Sequence, residues 1–75
     1  MKTDRRFEEI TELCRRILRT AEAVTQACGN RQRAFRQAFW ELDRVQDTCL
    51  ALRYSEGFEI ARHYKVAAKT QSDMK

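Results

Sequence analysis

The chain has no proline, and its only glycines are Gly29 and Gly57. So few breakers exclude a loop-rich or all-β design and favour long helices. No apolar run approaches the ~20 residues that a membrane-spanning helix requires. The opening residues, Met1 to Arg6, hold no apolar stretch of the kind a secretory signal needs. One histidine and three cysteines leave little material for a catalytic or metal centre. Three thiols cannot all pair within one chain, so a reducing, cytoplasmic setting is expected.

What is present describes one small, soluble helical domain. Of the 75 residues, 43% are hydrophobic and 35% charged, a balance that folds rather than stays disordered. A chain of this length buries only about 60% of its unfolded surface, so self-association or a partner is a common supplement.

The chain turns on Cys28-Gly29-Asn30-Arg31. Upstream, Phe7, Ile10, Cys14, Ile17, Ala21 and Val24 recur at steps of three and four. Downstream, Phe35, Ala38, Leu42, Val45, Cys49 and Leu52 do the same. Folding the chain back at Gly29-Asn30 pairs Phe7 with Leu52, Ile10 with Cys49 and Cys14 with Val45. The remaining pairs are Ile17 with Leu42, Ala21 with Ala38 and Val24 with Phe35. Such mirrored rows predict an antiparallel helical hairpin, over about 4–28 and 31–54. Thr3 or Asp4 is expected to cap the first helix, Gly29 to end it and Asn30 to cap the second. The rival is one long helix, since Cys28 and Phe35 keep the heptad phase. It is disfavoured by Arg31, Glu56, Glu59 and His63, which would fall on its apolar seam.

Ser55-Glu56-Gly57 is the second punctuation. A break there, with Ser55 as cap, predicts a shorter third helix over about 56–69, followed by a frayed polar tail over 70–75. The alternative is a second helix continuous through Gly57, at about 1 kcal/mol relative to Ala.

Chemistry-bearing motifs are sparse. Cys14, Cys28 and Cys49 occupy apolar positions and lack the short spacing of zinc ligands, and the hairpin parts Cys28 from the other two. Glu59, four residues before His63, makes an ordinary helical surface pair. Phe58 to Val66 carries a helix-turn-helix rhythm, but Lys65 stands where the turn wants Gly. Neither a catalytic residue nor a metal or cofactor is therefore expected.

Two surface features remain. Phe39, Trp40, Leu50 and Tyr54 lie off the hairpin seam, and a stripe of large apolar side chains calls for a cover. They are candidate anchors for another protein or a second copy of the chain, and a homodimer is expected. The second feature is charge. Arg15, Arg16, Arg19, Arg31, Arg33 and Arg36 face a single acid, Glu22, between residues 13 and 36. They suit an anionic partner, although only Phe35 and Phe39 stand among them as aromatics for base stacking.

The leading functional expectation is a non-catalytic interaction module: a small adaptor, chaperone or inhibitor of a larger protein, of bacterial or phage-like kind. The second is an RNA- or DNA-binding hairpin dimer that uses the arginine tip. Membrane binding is not expected, because each apolar row finds its partner within the chain.

Overall fold

A computed structural model describes residues 5–73, which form three helices and no strand. Helix α1 spans Arg5–Cys28, α2 Arg31–Ala51 and α3 Ser55–Asp73, in an up-down-up bundle of 42 × 20 × 14 Å. None of the described helices is long and apolar enough to cross a membrane. Thr3 and Asp4, the expected caps of α1, lie outside the described residues.

The hairpin forms where the sequence predicts it. Gly29 has φ +71°, a left-handed conformation that closes α1 without a Cβ penalty. Its N–H donates to Thr25 O at 2.7 Å. Asn30 then caps α2, its side-chain oxygen accepting from the Arg33 N–H at 3.0 Å. A left-handed residue at position 29 is incompatible with one continuous helix.

The second turn falls earlier than expected. It comprises Leu52, Arg53 and Tyr54, with Arg53 in the left-handed region at φ +57°. The Tyr54 N–H donates to Cys49 O at 2.8 Å and the Arg53 N–H to Leu50 O at 3.0 Å. This crossed pair is the Schellman ending, with arginine in the position that glycine usually holds. Tyr54, not Ser55, supplies the first carbonyl of α3, accepting from the Phe58 N–H at 3.1 Å.

Gly57 therefore breaks nothing. It is buried in the first turn of α3, where a Cβ would come within 2.6 Å of Tyr54, 2.8 Å of Cys49 and 2.8 Å of Ile10. Its role is space, not backbone freedom: all three helices converge on it. At its far end α3 continues four residues past the expected Lys69. There Arg31 Nη1 donates to Gln71 Oε1, tying this last stretch to the start of α2.

The core runs through Cys14, Ile17, Ala21, Phe35, Ala38, Leu42, Ala61 and Ala68. Leu42 is fully enclosed, which contributes about 1.5–3 kcal/mol relative to exposure. The mirrored rows thus pack at their centre, while Val24 and Leu52 at their ends remain exposed. The sequence rows place the main seam between α1 and α2, but the more extensive packing is between α2 and α3. Gly57, Ala61 and Ala68 explain this: a ridge of small, buried residues lets α3 approach closely.

Candidate docking surface

The polar link between α2 and α3 is built on Lys65. Its Nζ donates to Asp43 Oδ1 at 2.6 Å and Gln46 Oε1 at 2.9 Å, and lies 5.1 Å from the Phe39 ring centroid. The charge of Lys65 is thereby spent within the bundle. Phe39 is half-buried beneath it and meets Trp40 edge to face, centroids 5.6 Å apart at 83°.

Trp40 itself is 59% exposed, as is Val66 on α3. The Arg31–Gln71 and Lys65–Asp43 links fix an antiparallel register that sets Trp40 about level with Val66, and Arg36 about level with Lys69. Beside Val66 lies a hollow of about 460 Å³, floored by Phe39 and edged by Arg62, Lys69 and, at its far end, Asp73. Arg33, Arg36 and Lys69 are exposed and make no ion pair among the described residues. Among the described residues, Arg62 has only a long, exposed pair with Glu59, at 3.7 Å. The surface is an apolar centre with a rim in which cations outnumber the one carboxylate, Asp73.

Of the four expected apolar anchors, Trp40 and Leu50 are exposed and Phe39 is half-buried. Tyr54 is a correction. It is a core residue, because the Schellman turn folds it inward against Gly57, and the Arg6 guanidinium covers its ring at 4.6 Å. Leu50 belongs to a separate hollow with Arg53 and Phe58, ten residues or ~15 Å along α2 from Trp40.

The six expected arginines are all exposed, but they do not converge. Arg15, Arg16 and Arg19 line α1, and Arg31 is engaged by Gln71, with its guanidinium 5.9 Å from the Phe35 ring centroid. Arg33 edges a hollow with Val24, Cys28 and Gln37 that the three α1 arginines do not enter. The exposed aromatic among the arginines is Trp40, Phe35 being buried and Phe39 half-buried. Helical spacing sets Arg33, Arg36, Trp40 and Arg44 on the solvent side of α2. That spacing is legible in the sequence; the contribution of Arg62, Val66 and Lys69 is not, since it depends on how α3 docks.

No group of three or more metal-ligating side chains gathers among the described residues. Cys14 and Cys49 are buried near each other, and Cys28 is exposed at the hairpin tip. Burial, then the neighbouring Cys49, pushes the Cys14 thiol up to about 11; burial also raises Cys49. Both remain protonated at neutral pH and pack as small apolar groups. His63 stacks edge to face on Tyr64 at 5.5 Å, while Glu59 turns to Arg62 instead. Comparison with protein-family models, curated proteins and solved structures gives no match.

Proposed function

We propose that the chain is a non-catalytic interaction module of the cytoplasm, an adaptor, chaperone or inhibitor that docks an acidic, amphipathic segment of another protein across α2 and α3. The observation that carries this reading is the exposed Trp40, level with Val66, with Arg36 and Lys69 nearby along the same two helices and in no ion pair among the described residues. Tryptophan and arginine are the residues that dominate protein interfaces when desolvated. A partner that lays an apolar ridge on Trp40 and Val66 and carboxylates on the rim satisfies both parts of the surface.

The test is capture from the native host by the wild-type protein, Trp40→Ala and Arg33→Glu/Arg36→Glu in parallel. A partner retained by the wild type, lost by both variants and weakened by salt supports the reading. A partner held equally well by all three overturns it.

A second reading, single-stranded nucleic acid, is favoured by the position of Trp40 between Arg33, Arg36 and Arg44. Arginines would track phosphates and Trp40 would stack a base. Quenching of Trp40 fluorescence by a random single strand, lost steeply as salt rises, supports that reading over the first. Absence of quenching at low salt removes it.

A further inference from the structure

The α1–α2 side of the bundle, away from Trp40, holds a groove of about 340 Å³ near the open end, opposite the Gly29-Asn30 turn. That volume falls within the range of about 300–1,000 Å³ typical of small-molecule sites. Its walls are aliphatic: Ile10 and Leu13 from α1, Val45 and Leu52 from the second half of the hairpin. Leu13 is 44% exposed and Leu52 65%, so this apolar surface faces water in the isolated chain. Cys49 lies at the base as a protonated thiol, so the floor carries no charge.

The two ends of the groove differ. At the open end Tyr54 forms the wall, with the Arg6 guanidinium 4.6 Å from its ring centroid. Toward the tip, Arg44 and Thr48 stand four residues apart on α2, side by side on the edge. Thr11, Thr25 and Thr70 each donate to a carbonyl one turn back. The Thr48 hydroxyl makes no such bond, and Arg44 makes no ion pair, among the described residues. The nearby carboxylates are held elsewhere. Glu9, on the rim, reaches Arg5 at 3.9 Å. Helical spacing puts Asp47 on the far side of Arg44 and Glu41 one turn nearer the tip, outside the groove.

We propose that this groove binds a single-chain amphiphilic carboxylate, a fatty acid, with its head on Arg44 and Thr48 and its chain laid over Leu13, Val45 and Ile10 toward Tyr54. A guanidinium beside a hydroxyl offers donors, and a carboxylate only accepts, so the head group is matched in charge and in hydrogen bonding. The walls select the rest of the ligand. Arg6 and Leu13 are seven residues apart on α1, about 10 Å, which suits a chain of medium length. An extended peptide would leave its amides unpaired against these walls, because the helical backbone has no donors or acceptors to spare. An alkyl chain brings none.

Calorimetric titration of the full chain with decanoate, kept below its micelle concentration, tests the proposal. One decanoate per chain is expected. Acetate, which lacks the chain, and decyltrimethylammonium, which reverses the charge, should give no saturable heat at the same concentrations. Arg44→Gln should weaken decanoate binding at least about tenfold, the loss of one charge-assisted contact. Leu13→Glu, which sets a carboxylate against the alkyl chain, should abolish it. Both positions are exposed, so the helical spectrum of each variant should match wild type. Trp40→Ala should leave the affinity unchanged, which separates this groove from the α2–α3 surface. Absence of saturable decanoate binding overturns the proposal. So does binding that decyltrimethylammonium shares, that Trp40→Ala removes, or that Arg44→Gln and Leu13→Glu both leave intact.

Discussion

Lys65 and Asp43 form an ion pair between helices α2 and α3, Nζ to Oδ1 at 2.6 Å, above the face of Phe39. The lysine side chain is 23% exposed and the aspartate 43%, so water screens the pair only in part. Asp43→Asn is expected to destabilise the fold by roughly 0.5–1.5 kcal/mol, the range of a hydrogen-bonded pair that is not fully solvated. A double-mutant cycle with Lys65→Met, followed by urea unfolding, should return a coupling of the same sign. Additive losses would mean that Lys65 acts through Phe39 and Gln46 alone.

Arg53 holds a left-handed conformation that costs an ordinary residue about 1–2 kcal/mol. Arg53→Gly relieves that strain but frees the unfolded chain, so a net gain of about 0.5–1 kcal/mol is expected. Thermal unfolding should show a rise of several degrees. At Gly29 the logic reverses: Gly29→Ala imposes the strain and should cost about 1 kcal/mol, although nothing crowds its Cβ.

Gly57→Ala separates helix propensity from packing. Propensity alone predicts a gain of about 1 kcal/mol. The Cβ, however, meets Tyr54, Cys49 and Ile10 at under 3 Å, and overpacking of this kind costs typically 1–3 kcal/mol. Net destabilisation in a denaturant titration is the expected result; a gain would show that the Ile10 and Tyr54 side chains give way freely.

The thiols should divide sharply. In the native protein near pH 8, a thiol reagent is expected to modify Cys28 fast and Cys14 and Cys49 only through unfolding. Linkage gives a second readout. The folded pKa of Cys14, about 11, lies above its ordinary 9.0, so the folded state keeps the proton that the unfolded chain gives up. Its contribution is complete below pH 9 and is lost as pH rises through 11, about 2–3 kcal/mol in all. Cys14→Ala should flatten that part of the stability–pH curve relative to wild type.

Trp40 stands in water in the isolated chain, so its emission should be red-shifted and readily quenched by acrylamide. Trp40→Ala is expected to change stability by no more than about 0.5 kcal/mol, because little native packing is lost. A loss of several kcal/mol would assign Trp40 to the core rather than to a docking surface.

Local chemistry made the first turn legible. Gly29 supplies a left-handed residue and Asn30 a cap, and both act within a few residues of chain. The mirrored rows around them then specify an antiparallel hairpin. The second turn was not legible in the same way, because Arg53 gives no sign of a positive φ and Gly57 resembles a breaker. Only the convergence of Ile10, Cys49 and Tyr54 on Gly57 reveals it as a packing residue. Tyr54 went with it into the core for the same reason.

The sequence by itself determined the all-helical class, the hairpin, the buried centre of both rows and the separation of Cys28 from Cys14 and Cys49. These follow from periodicity and chain direction, which are local properties. The tertiary structure decided what faces outward together. Docking of α3 on α2 consumed Lys65, buried Tyr54, and set Val66 and Lys69 about level with Trp40 and Arg36. Proximity between residues thirty positions apart depends on how closely two helices approach. That distance is set by side-chain volume at Gly57, Ala61 and Ala68, not by the pattern of either helix alone.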